Sequence, residues 1–158
     1  MIFTELTSRY DKDLADLIRT SLKAYQLDIP GTVYYDEGLD HLSAYYGKAD
    51  GQYHVLLEKD RLIGGIGLER FRTFDNCCEL QKLYLSEEYK GQGLGYRMIA
   101  FLEDRARELG YDQVYLETHS NLKPAIHIYE KSGYREIERP AAVVHSSMDR
   151  FFLKQIKQ

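Results

Sequence analysis

The chain has 158 residues, of which 44% are hydrophobic and 29% charged, and its formal net charge is −4. Length and balance fit one folded domain over residues 1–158 and exclude a disordered chain. No apolar run reaches the roughly 20 residues of a membrane helix, neither end carries a basic run for nucleic-acid phosphates, and Met1–Glu5 has no signal-peptide character, so the expected setting is cytoplasmic, without membrane or nucleic acid.

Residues 1–8 read as a strand through Ile2, Phe3 and Leu6. From Asp11 the period becomes helical, with Leu14, Leu17, Ile18, Leu22 and Tyr25 on one face, and Pro30-Gly31 is the expected stop. A second short helix is expected over Asp36–Tyr46, then a loop at Lys48-Ala49-Asp50-Gly51. Tyr53–Lys59 and Arg61–Phe71 read as a hairpin around Lys59-Asp60-Arg61, and Gly64, Gly65 and Gly67 point to a bulge or a close backbone approach. Residues 77–85 form the next predicted strand. Leu94, Met98, Phe101, Leu102, Arg105 and Leu109 then mark a helix ended by Gly110. Strand, helix, strand and strand follow at Val114–Thr118, Pro124–Lys131, Tyr134–Ile137 and Met148–Ile156. The order predicts a mixed α/β (α+β) domain with a largely antiparallel sheet.

The adjacent Cys77 and Cys78 suit neither a disulfide nor a zinc set, so they read as reduced strand thiols. His119, His127 and His145 share no metal spacing, and no metal is expected. The sharpest local signal is Lys90-Gly91-Gln92-Gly93-Leu94-Gly95-Tyr96, between a strand and an amphipathic helix. Glycines there turn backbone N–H groups toward one point at a helix N-terminus, which suits an anion such as phosphate. The spacing fits neither a P-loop nor the dinucleotide Gly-x-Gly-x-x-Gly fingerprint, and a plain chain-turning loop is the bland alternative.

Around that loop lie Glu79-Leu80-Gln81-Lys82-Leu83-Tyr84-Leu85, Leu116-Glu117-Thr118, Asn121, and Ala125-Ile126-His127-Ile128-Tyr129-Glu130-Lys131-Ser132-Gly133-Tyr134. Over residues 79–134 the chain resembles the GNAT (GCN5-related N-acetyltransferase) superfamily. Lys90 stands where the family's pyrophosphate signature has Gln or Arg, with Gly93 and Gly95 in their places. The resemblance implies a sheet of about seven strands flanked by about four helices, with a V-shaped splay between the fourth and fifth strands. It implies acetyl-CoA as co-substrate, its pyrophosphate held by Lys90, Gly91, Gln92, Gly93, Leu94, Gly95 and Tyr96. Its pantetheine arm would run along Leu83, Tyr84 and Leu85, with Asn121 touching that arm or orienting Tyr129. It also implies a small-molecule or peptide amine as acceptor and, by analogy, a homodimer.

An amine of pKa about 10 must lose a proton before it attacks a thioester. Glu79 is the expected base, directly or through water, and its alternative role is a salt-bridged strand residue. In the predicted strand Glu79 shares a face with Gln81, Leu83 and Leu85, two residues apart each time. A backbone N–H of Leu83 or Leu85 would stabilise the oxyanion, and Tyr129 would protonate the leaving thiolate. Tyr129 could instead be a core aromatic, and Asn121 an N-cap for the following helix. Tyr34 and Tyr35 are expected at the acceptor pocket or in the core. Two other functions stay open, a catalytically silent acyl-CoA-binding regulatory module and a nucleotide or phosphosugar binder.

Overall fold

The computed structural model of the protein describes residues 1–48, 50–143 and 146–157. Ala49 of the expected loop and His145 lie outside the described residues. The described residues form a seven-stranded sheet and four α-helices. In chain order these are β1 (Ile2–Glu5), α1 (Asp11–Ala24), α2 (Leu42–Tyr46), β2 (Gly51–Glu58), β3 (Arg61–Phe71), β4 (Cys77–Leu85), α3 (Leu94–Glu108), β5 (Gln113–Thr118), α4 (Lys123–Lys131), β6 (Arg135–Ile137) and β7 (Arg150–Gln155). The sheet order is β1-β2-β3-β4-β5-β7-β6, antiparallel throughout except for the parallel pair β4–β5. Among the described residues no helix is long and apolar enough to cross a membrane.

Local chemistry sets the boundaries. Helix α1 buries Leu14, Ala15, Ile18 and Leu22, one face of a 3.6-residue period. It ends at Ala24, well before the expected stop at Pro30-Gly31. Gln26 takes a left-handed φ of 58°, its N–H reaches the Lys23 carbonyl at 3.1 Å, and the Leu27 N–H reaches Leu22 at 2.8 Å. That is a Schellman closure with glutamine in the place glycine usually takes. The expected helix over 36–46 is shorter, a 3-10 turn at Leu39–His41 followed by α2. β1 stops at Glu5 because Ser8–Tyr10 turns into α1, and the last strand starts at Arg150 rather than Met148. The β2–β3 hairpin closes through Lys59 and Asp60, both at positive φ as a type I′ turn requires.

Each face of the sheet carries its own core. Helices α3 and α4 cover one face with Met98, Ile99, Leu102, Ile126 and Tyr129 against Ile63, Leu80, Val114, Leu116 and Phe152. Helices α1 and α2 cover the other with Leu14, Ile18, Leu42 and Tyr46 against Tyr53, Val55 and Leu57. Beyond them a smaller cluster of Cys77, Tyr115 and Phe151 is closed by Phe71 and Phe74. Cys77 and Cys78 are unpaired and buried, and burial pushes both thiols up to about 12, which keeps them protonated and unreactive.

The glycine stretch meets two irregularities, a register shift at Leu56/Leu57 where β2 pairs with β3 and a bulge between β3 and β4. Gly65 pairs with Tyr84 and Gly67 with Gln81, so Lys82 and Leu83 face the single residue Ile66. Lys82 takes a left-handed φ of 50°. The Tyr53 hydroxyl crosses from β2 and donates a 2.7 Å hydrogen bond to the Lys82 carbonyl. Two glycines make room for that ring, since a Cβ at Gly65 would lie 2.4 Å from the Tyr53 hydroxyl and one at Gly67 2.6 Å from Cδ2. The bulge corrects the face expected for Glu79. Glu79 and Gln81 are hydrogen-bonded to each other on the side of α1 and α2. Past Lys82 the alternation inverts, so Leu83 and Leu85 join the α3–α4 core and Tyr84 the α1 core.

Gly65→Ala is expected to destabilise the fold by about 2–3 kcal/mol through overpacking against Tyr53, and Tyr53→Phe by about 1 kcal/mol through the lost hydrogen bond. Urea unfolding of the two variants and of the double variant checks this. The double variant is expected to lose less than the two single losses added, because both changes act on one contact.

Candidate active site

Strands β4 and β5 pair only at Cys77–Gln113, Cys78–Val114 and Glu79–Tyr115. Beyond Glu79 they part, and a cleft of about 590 Å³ opens between them. Leu83, Tyr84 and Leu85 line it from β4, Glu117 and Thr118 from β5, and Ala125, Ile128 and Tyr129 from α4. Leu22 and Tyr25 line it from α1, which lies on the other face, so the cleft passes through the sheet.

One end of the cleft is a cup of backbone donors. Gly91 and Gly93 have φ of 79° and 77°, and a Cβ at either would point into open space. Gly93 is the N-cap of α3 and offers no side chain to satisfy its first N–H groups. Among the described residues the N–H groups of Gln92 to Tyr96 make no backbone hydrogen bond. With the positive end of the helix dipole behind them, they form an anion receptor. Lys90 flanks it, paired with Glu87 at 2.8 Å and resting 5.2 Å from the centre of the Tyr25 ring. Gly95 has a second duty, since a Cβ there would lie 2.9 Å from Ile128 Cδ1, so its absence lets α3 and α4 approach. Of the loop's predicted ligands, the Gln92 side of the turn is the one that does not line the cleft.

Tyr129 reaches the middle of the cleft from α4. It is 6% exposed, and its hydroxyl has no hydrogen-bond partner among the described residues. Burial holds that phenol well above its ordinary range, so it carries its proton at neutral pH. Glu79 lies behind the cleft wall. Its carboxylate accepts from Gln81 Nε2 at 2.9 Å, and the same amide donates to Glu69 at 3.1 Å. Burial pushes Glu79 up to about 7, opposed by the Gln81 bond and reinforced by the nearby charge of Glu117.

Several lining groups escaped the sequence reading. Glu117 accepts from Tyr115 at 3.0 Å and from Ser146 at 3.0 Å. Lys82, Thr32, Val33 and Met148 also line the cleft. Glu117 stood inside a recognised strand, and strand alternation with Tyr115 was the available signal for its direction. Lys82 lay inside a predicted strand with no signal of its own.

Other expectations are corrected. The N-cap of α4 is Leu122, not Asn121, and it makes no side-chain cap. The Asn121 amide instead donates to the Tyr25 carbonyl at 3.0 Å, tying the β5–α4 turn to the end of α1, and it neither lines the cleft nor bonds Tyr129. Tyr34 takes the core alternative, packing against the α1 core, while Tyr35 is 61% exposed; the cleft is lined by Gly31, Thr32 and Val33 just before them.

The Escherichia coli (strain K12) uncharacterized N-acetyltransferase YjgM is 31% identical over 139 residues, 87% of this chain and 83% of that protein. An acetyltransferase of the GNAT family from Staphylococcus aureus Mu50 superposes with a TM-score of 0.87 at 22% identity, covering 99% of both chains. PaiA N-acetyltransferase from Thermoplasma acidophilum, solved with coenzyme A, superposes with a TM-score of 0.76 at 20% identity over 98% of this chain and 99% of that one. The model of the acetyltransferase (GNAT) family matches residues 16–134, from within α1 to the threshold of β6. That span holds both strands that part, the donor cup and Tyr129, and with it the chain belongs to the acetyltransferase (GNAT) family of acyltransferase enzymes.

Proposed function

We propose that the protein is an acetyl-CoA-dependent N-acetyltransferase that moves an acetyl group to a primary amine by direct attack within a ternary complex. The observation that carries this reading is the through-sheet cleft, with a cup of N–H donors at one end and the Tyr129 hydroxyl midway, both without partners among the described residues. The coenzyme A named with a structural neighbour supports the choice of donor.

In this reading the N–H groups of Gln92 to Tyr96 and the Lys90 ammonium hold the pyrophosphate. The β4 backbone at Leu83 and Leu85, released from β5, pairs with the pantetheine amides as an added strand would. That pairing sets the thioester beside the Lys82 bulge. A backbone N–H of Leu83 or Leu85 then faces the oxyanion formed on attack. Glu79 removes the proton of the incoming ammonium through water, because the carboxylate lies behind the cleft wall. A carboxylate with a pKa of about 7 is a better base near neutrality than one at an ordinary value. Tyr129 gives its proton to the departing thiolate, whose own pKa is about 8.5. No covalent enzyme intermediate is needed.

Calorimetric titration is expected to show saturable binding of acetyl-CoA and CoA, and none of ATP or NAD at matched concentration. Gly93→Asp sets a charge and a strained φ of 77° at the cup and is expected to weaken acetyl-CoA at least tenfold in a protein whose thermal unfolding stays cooperative. Unchanged affinity would remove the phosphate assignment.

Tyr129→Phe is expected to slow transfer about 10- to 100-fold while leaving acetyl-CoA affinity in place. The base must be deprotonated to act, so kcat/KM is expected to rise with pH through about 7, and Glu79→Gln to abolish that limb. A limb at 7 that persists in Glu79→Gln assigns the titration elsewhere.

A further inference from the structure

Two lysines line the cleft among the described residues, and they are partnered differently. Lys90 is neutralised by Glu87 at 2.8 Å. Lys82 makes no ion pair among the described residues. Its ammonium donates one long hydrogen bond, 3.4 Å, to the Tyr46 hydroxyl. The rings of Tyr45 and Tyr46 hold it by cation–π contact, each 5.5 Å from ring centre to Nζ. Burial works against its charge and lowers its pKa, while Asp36, Glu79 and Glu69 attract the charge from beyond contact distance. An ammonium has three donors, and a desolvated one with a single long bond is poorly satisfied.

Its position matters as much as its charge. Lys82 is the bulge residue itself, next to the backbone assigned above to the thioester. Glu117 lines the same cleft from β5, and Glu79 stands on β4 three residues before Lys82. A cation and a carboxylate, Lys82 and Glu117, therefore line one cleft from the two strands that part. We propose that the acceptor carries a carboxylate beside its amine, an amino-acid-type substrate, with Lys82 receiving the carboxylate and Glu117 receiving the amine, whose proton passes through water to Glu79. This rests on the N-acetyltransferase reading and narrows it. An amine without the anion leaves Lys82's donors unmet, and a site built around a hydrogen bond rejects an analogue that lacks it.

The test compares L-leucine and L-phenylalanine with their carboxamides and their decarboxylated amines, read by thiol release from acetyl-CoA. The native protein is expected to favour the acids at least tenfold in kcat/KM, mainly through KM. Lys82→Met, of similar length and without charge, is expected to bring that ratio near one with acetyl-CoA affinity unchanged, and Lys82→Arg to keep it. Equal or better use of the carboxamides and amines by the native protein overturns the proposal and leaves the N-acetyltransferase reading standing. A preference for acids that survives in Lys82→Met overturns Lys82's part in it. Acetyl-CoA binding without transfer to any of these amines overturns the amino-acid proposal, and the N-acetyltransferase reading falls only if a wider panel of polyamine, aminoglycoside and peptide amines also gives no thiol release. Should Lys82→Met fail to fold by thermal unfolding, the native panel and Lys82→Arg decide, since loss of acid preference in a folded Lys82→Arg also overturns the assignment.

Discussion

Two parallel strands in one sheet must pair along their length or find other partners for their backbone groups. Here β4 and β5 pair at three positions and then separate, and the rest of the molecule depends on that separation. It is built from the β3 side. The Lys82 bulge adds one residue to β4, bends the strand and sharpens its twist, which turns its second half away from β5. The bulge is braced by the Tyr53 hydroxyl, and Tyr53 fits because β3 carries Gly65 and Gly67 where a side chain would collide. Glycines that weaken β3 as a strand are thus the reason that β4 can hold its shape.

The opening gives the cleft two electrical ends. At the α3 end the charges are partial and fixed, N–H groups and a helix dipole, with Lys90 beside them. At the far end they are side chains, with Lys82 and Glu117 lining the cleft and the charges of Glu79 and Glu69 close to Lys82. The first arrangement needs no reorganisation to receive an anion. The second is tunable, because burial raises the Glu79 pKa toward neutrality while the Gln81 amide resists the change. Tyr129, uncharged and without a hydrogen-bond partner among the described residues, stands between the two ends.

Much of this was legible in the sequence. The periods of α1 and α3, the hairpin turn at Lys59-Asp60 and the glycine loop declared themselves, because each rests on local chemistry. The end of α1 did not, because Gln26 takes a conformation in which glycine is the usual signal. The side chains around the bulge did not, because inversion of a strand's faces depends on how β3 pairs with β4. Gly64, Gly65 and Gly67 announced that something irregular lay there but could not say on which strand the extra residue fell. Asn121 occupied a plausible capping position, yet the nearer carbonyl of Tyr25, 96 residues earlier, took its amide.

The inversion at Lys82 also explains how one short strand serves three surroundings. Without an extra residue, Glu79, Gln81, Leu83 and Leu85 would crowd one face, setting a carboxylate and an amide among the aliphatic residues that α3 and α4 require. With it, the polar pair meets Tyr46 on the α1–α2 side, the leucines meet Met98 and Leu94 on the other, and Tyr84 closes the α1 side of the cleft. The residue in the bulge pairs with no single partner on β3, so its side chain is the one least bound by the sheet's alternation. A lysine there can reach the tyrosine pair and the cleft together without disturbing either core. The device that opens the sheet is in this way also the device that places a charge at the opening.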